Sequence, residues 1–104
     1  MSGIIEDKNM KKNIAYKAPE GKLLRIEAQV DDFTIQTIKI TGDFFIHPED
    51  DLIKIEKILP GKRISQVKQA VDEFTDKNQT RIIGFTSADL QEALEKIFPK
   101  NPEN

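Results

Sequence analysis

Between Leu23 and Val30 the side chains alternate. Leu24, Ile26, Ala28 and Val30 fall on one phase, and Leu23, Arg25, Glu27 and Gln29 on the other. A period of two marks a strand with one buried face, because successive side chains project to opposite sides of the backbone. The next run, FTIQTIKIT from Phe33 to Thr41, is β-branched and aromatic, as strands prefer. Its parity breaks midway: Phe33 and Ile35 share one phase, Ile38 and Ile40 the other. One extra residue near Gln36 and Thr37 reconciles them, since a β-bulge rotates everything after it to the opposite face. Asp31 and Asp32 suit the tight turn between the runs. The segment NIAYKAP ahead of them supplies a short third strand, ended by Pro19 and Gly21.

A half-buried hairpin needs a layer over its apolar face, and the second half of the chain offers three helices. PEDDLIKIEKIL places Pro48 at a first-turn position, Glu49, Asp50 and Asp51 at the positive end of the dipole, and Leu52, Ile55, Ile58 and Leu59 in a stripe that Pro60-Gly61 ends. ISQVKQAVDEFTDKN turns Val67, Ala70, Val71 and Phe74 inward. The last helix opens at TSAD, where Thr86 and Asp89 have capping-box spacing, and continues with Leu90, Ala93, Leu94, Ile97 and Phe98 on one face. Strands first and helices after predict an α+β fold: a small antiparallel sheet of about three strands, followed by and packed against about three helices. Residues 1–13 read as a flexible lead-in, 14–98 as one domain and 99–104 as a flexible tail. With 104 residues, the chain buries roughly 65% of its unfolded surface, enough for one core.

Composition removes several classes of function. The net charge of -2 gives no field for nucleic acid or an anionic membrane. No apolar run approaches the roughly 20 residues of a membrane helix, and no secretory signal is present. The chain has no cysteine, so thiolate metal sites and thiol nucleophiles are excluded. The expected location is the cytoplasm. His47 with Glu49, Asp50 and Asp51 resembles a metal cluster, but consecutive carboxylates diverge around a helix and one histidine offers one nitrogen. The acids are read as a helix start, with His47 just before it. Ser65 and Ser87 read as helix caps rather than nucleophiles. In YKAPEGK, Lys17 and Lys22 flank a turn and place two ammonium groups near each other, suited to phosphate as point charges or to plain solvation. Phe44 and Phe45 point to opposite faces if the strand continues, and Gly42 permits a bend or a close backbone approach.

Two segments together carry a resemblance: K-A-P-E-G-K-L at Lys17 to Leu23, and T-G-D-F-F-x-H-P-E at Thr41 to Glu49. With G-F-T-S-A-D-L-Q-E-A-L at Gly84 to Leu94, they make the chain similar to the C-terminal accessory domain of lipoate–protein ligases. No large catalytic domain precedes it, so the chain resembles the separately encoded small subunit of two-chain ligases. The resemblance implies a fold similar to the SufE/NifU-like unit of iron–sulfur scaffold and sulfur-acceptor proteins, without their cysteines. It implies a partner, the catalytic large subunit, which with ATP and magnesium makes lipoyl-adenylate and passes the lipoyl group to a lysine of an acceptor domain. In the family the small domain supports adenylation and is dispensable for transfer. The chain alone is then no enzyme and binds no cofactor by itself. Lys17 and Lys22 become candidate phosphate or adenylate contacts in the complex, and Pro19, Gly21, Gly42, Asp43, Phe44 and Phe45 candidate partner contacts. The competing expectations are a docking or regulatory module for a lipoyl-carrier protein or ligase and, last, an independent enzyme using His47.

Overall fold

The computed structural model describes residues 9–17 and 22–98. Its three-stranded antiparallel sheet has the order β1 (Asn9–Lys17), β2 (Leu23–Asp31), β3 (Thr34–Gly42). The alternation in β2 is realised in full: Leu24, Ile26, Ala28 and Val30 are buried, and Arg25 and Glu27 are exposed. The bulge also falls as expected. Gln29 faces Thr37 and Val30 faces Ile35, so Gln36 is the extra residue. Ile35, Ile38 and Ile40 therefore all enter the core despite their change of parity.

The turn sits one residue later than Asp31-Asp32. Asp31 pairs with Thr34, leaving Asp32 and Phe33 as the central pair with φ of 54° and 63°. Two left-handed residues match the twist of a hairpin, and Asp tolerates that conformation. Phe33, which does so less readily, is held from outside: its carbonyl accepts from the Ile64 N–H at 3.0 Å. The first strand is longer than NIAYKAP. It pairs with β2 from Asn9↔Asp31 to Lys17↔Leu23, so residues 9–13 of the expected lead-in belong to the ladder. Edge pairing is made by backbone groups, and the polar side chains there gave no alternation to read. Lys12, for example, lies 5.9 Å over the Phe98 ring instead of in solvent alone.

Helices α1 (Asp50–Ile58), α2 (Val67–Asn78) and α3 (Ser87–Ile97) cover one face of the sheet. Ile55 and Leu59 of the first helical segment, Val67, Ala70 and Val71 of α2, and Leu90, Ala93, Leu94, Ile97 and Phe98 in and after α3 are all buried. Each such large side chain contributes on the order of 1.5–3 kcal/mol. The capping box is formed reciprocally. Asp89 N–H donates to Thr86 Oγ1 at 3.0 Å, and Thr86 N–H to Asp89 Oδ2 at 2.9 Å.

Three details differ from the sequence reading. Pro48 stands before the N-cap residue Glu49 rather than in the first turn, its carbonyl accepting from Asp51 N–H at 3.0 Å. Ser65 lies inside a 3₁₀ turn, Ile64–Gln66, that precedes α2. Ser87 is the first helical residue, not the cap, and donates its hydroxyl to Asp72 Oδ1 at 2.6 Å, joining α3 to α2. A second sheet was also not foreseen. β4 (Phe45–His47) pairs antiparallel with β5 (Arg81–Ile83). Asp51, only 4% exposed, accepts from the Thr80 hydroxyl and thereby ties the start of α1 to the residue before β5.

Candidate partner interface

The Gly-Asp-Phe-Phe segment begins where β3 leaves the large sheet. Gly42 has φ +147°, and a Cβ there would overlap the Leu23 carbonyl oxygen. Only glycine allows this approach. It sets Asp43 N–H to donate to that same carbonyl at 2.8 Å. Leu23 is also the residue that pairs with Lys17, and Lys22 directly precedes it. The two segments, some twenty residues apart in the chain, thus converge on one rung of the sheet. Lys17 and Lys22 are both exposed there, on neighbouring backbones roughly 6 Å apart by strand geometry. Pro19 and Gly21 lie outside the described residues, as do residues 1–8 and the tail 99–104.

Past Gly42 the two phenylalanines part, and a second glycine makes room for the one that goes in. Phe44 packs edge-on against the buried Phe85, ring centroids 4.9 Å apart at 84°. Gly84, at φ +121°, lies beneath it, so close that a Cβ would come within 2.8 Å of the Phe44 Cβ. Phe45 faces outward and is 75% exposed. Directly opposite on β5 is Ile83, 57% exposed, and two pairs farther along stand His47 and Arg81, both exposed. Ile46 between them is buried and anchors the ribbon. The outward side of β4–β5 is therefore an apolar pair beside two polar residues on a firm base, a geometry suited to one aromatic anchor entering a partner's socket.

His47 gathers no metal ligands: among the described residues no three His, Asp, Glu or Cys side chains stand together. Its acidic neighbours do what a helix start asks. Asp50 and Asp51 occupy the first turn of α1. Ionisation is perturbed elsewhere. The Lys68 ammonium, then the Ser87 hydroxyl, hold Asp72 below the usual carboxylate range. Burial, with help from Glu92 and Asp89, raises Tyr16, whose ring lies 5.4 Å beneath the Lys96 ammonium.

Residues 9–97 match the family described as bacterial lipoate protein ligase C-terminus. The chain belongs to this family. Its similarity to lipoate-protein ligase A subunit 2 of Thermoplasma acidophilum is 36% identity over 59 residues, 57% of this chain and 62% of that protein's length. The fold is likewise similar to a chain from a structural study of an archaeal lipoylation system, a bi-partite lipoate protein ligase and its E2 lipoyl domain from the same organism. That likeness has TM-score 0.71 at 29% identity and covers 83% of this chain and 96% of the other.

In this ligase C-terminus family member the sequence offered Gly42, Asp43, Phe44 and Phe45 as candidate contacts, and the structure sets Ile83 and Arg81, which it did not offer, on the same exposed ribbon. Three residues of strand carry almost no periodic signal. The available clue was Gly84, whose position after a β-branched pair marks close backbone approach.

Proposed function

We propose that this chain is the non-catalytic accessory subunit of a two-chain lipoate–protein ligase, working with a catalytic subunit in the ATP-dependent activation of lipoate to lipoyl-adenylate. The observation that carries the reading is the family match over residues 9–97, joined to the likeness that spans nearly all of the archaeal chain. The geometry supports it. Phe45 offers an exposed anchor, and Lys17 and Lys22 stand together at the end of the sheet on the same side as the Gly42 junction. Activation gathers phosphate charge and requires water to be kept out. Two lysines brought over the catalytic subunit's nucleotide meet that charge as flexible point donors. ATP, magnesium and lipoate are bound in the assembled ligase rather than by this chain by itself, and the acceptor domain is an indirect partner.

The test is reconstitution. The chain is mixed with a catalytic subunit, lipoate and ATP, and pyrophosphate release is followed. Addition of the chain restores release, and Lys17→Ala and Lys22→Ala reduce its rate while complex formation persists. Unchanged rates with both variants remove the lysines from the mechanism. No restoration by the wild-type chain removes the function itself.

A further inference from the structure

The helices cover one side of the three-stranded sheet and leave the other open. That open side carries the odd-numbered residues of β1 from Lys11 onward and of β2, and on β3, past the bulge, Thr37, Lys39 and Thr41, set there by the register. Four cations, Lys11, Lys17, Arg25 and Lys39, and two acids, Glu27 and Asp31, stand on it, all exposed. The side therefore sums to +2, four minus two, in a chain whose 16 cations and 18 acids sum to -2. The acids are placed unevenly: Glu27 stands directly opposite Lys39 and two residues from Arg25 on the same face. Glu27 Oε2 lies 3.8 Å from Lys11 Nζ, and Asp31 sits at the hairpin tip.

This leaves Lys17, Arg25 and Lys39, none of which forms an ion pair among the described residues. Lys17 faces Leu23 and Lys39 faces Glu27, so each is one strand over and two residues along from Arg25. That geometry puts their Cα atoms roughly 8 Å from that of Arg25. This is about one Debye length at physiological salt, and Glu27 lies nearer still to Lys39 and Arg25, so what reaches an approaching partner is the net positive charge of the face. A shallow trough of about 370 Å³ opens on this face, walled by Arg25, Glu27 and Lys39.

We propose that this cationic sheet face docks against an acidic face of the catalytic subunit and speeds assembly by electrostatic steering. The proposal rests on the accessory-subunit reading and adds the surface to it. The face includes Lys17, and Lys22 lies at the same end of the sheet, the end placed over the nucleotide in that reading, so the ground beside the nucleotide site meets this face next. Nucleic acid is the poorer fit, because no outward residue of the three strands is aromatic and none gives bases a stacking platform.

The association rate constant of the full chain with a catalytic subunit is measured by stopped flow across a series of salt concentrations. For the double variant R25E/K39E, the on-rate at low salt falls about ten- to a hundredfold, the off-rate changes far less, and the difference closes as salt rises. Glu27→Lys moves the charge the other way and raises the on-rate, an outcome that mere damage to folding does not produce. On-rates independent of salt and of both variants, with the wild-type chain still supporting activation, overturn the docking face and leave the accessory role standing. A charge effect on binding to an isolated lipoyl-acceptor domain, with none on the catalytic subunit, overturns it in favour of the acceptor. Absence of any binding by the wild-type chain overturns both readings.

Discussion

Phe45→Ala separates the surface of this chain from its core. The side chain is 75% exposed, so the free protein gains little from it. At such a surface position truncation changes stability by no more than about 0.5 kcal/mol. In a complex the account reverses. A phenylalanine buries on the order of 150–250 Å² when fully covered, and the exposed three-quarters leaves roughly 110–190 Å² for a partner. At about 25 cal/mol per Å² that is roughly 3–5 kcal/mol, or at least a hundredfold in Kd. Phe44→Ala gives the opposite pattern. Its ring is already spent on Phe85 at 4.9 Å, and truncation costs about 2–4 kcal/mol of folding stability. Urea unfolding followed by circular dichroism measures the first quantity, and calorimetric titration with a catalytic subunit the second. A Phe45→Ala chain that binds as tightly as wild type shows that the ribbon is not the anchor.

The remaining expectations concern the elements that hold the two surfaces in place. Gly42→Ala forces a Cβ into the Leu23 carbonyl and costs on the order of 3 kcal/mol, with binding weakened as well; a melt like that of wild type refutes the close approach. Thr86→Ala removes the acceptor for Asp89 N–H and lowers stability by about 1 kcal/mol, read as a shift in the urea midpoint. The pH dependence follows from Asp72, held low by Lys68 and then Ser87. A depressed folded pKa adds stability that is complete above the unfolded value near ~4 and is lost as pH falls through the folded one. The gap in melting temperature between wild type and Asp72→Asn therefore narrows in acid, and a gap as wide at about pH 2 as at pH 7 refutes the linkage.

Much of this architecture was legible because it rests on local repetition. The phase of Leu24 to Val30, the broken parity of Ile35 and Ile38, and the stripe from Leu90 to Phe98 each state their burial in a few neighbouring residues. The capping pair Thr86 and Asp89 is equally local. What escaped was set by partners far along the chain. β5 has three residues and owes its strand conformation to Phe45–His47, more than thirty positions earlier. Asn9 to Asn13 form a strand because β2 offers a free edge, and nothing in Lys11, Lys12 or Asn13 announces that. The choice between Phe44 and Phe45 had the same character. Alternation required the two to part; Phe44 shares the phase of the buried Ile46, and Gly84, with no Cβ, leaves the room for it to turn inward.

Leu23 ties the backbone at Lys17 and Lys22 to the Gly-Asp-Phe-Phe segment. Its carbonyl accepts from Asp43 N–H on one side of β2, while Leu23 itself pairs with Lys17 on the other. A shift of β3 at Gly42 therefore moves the backbone that carries Lys22 and the ladder that carries Lys17, together with the chain leading to Phe45. In the proposed accessory role, Phe45 as anchor and the two lysines as hydrogen-bond donors to phosphate would be delivered in a fixed relation, because both are fastened to one rung. This is preorganisation: the ordering cost is met in folding, before the partner arrives, and less is left to be met on binding. Had the lysines and the aromatic been carried on independent loops, seating Phe45 would have said nothing about where the ammonium groups come to lie. With both tied to Leu23, seating one positions the other.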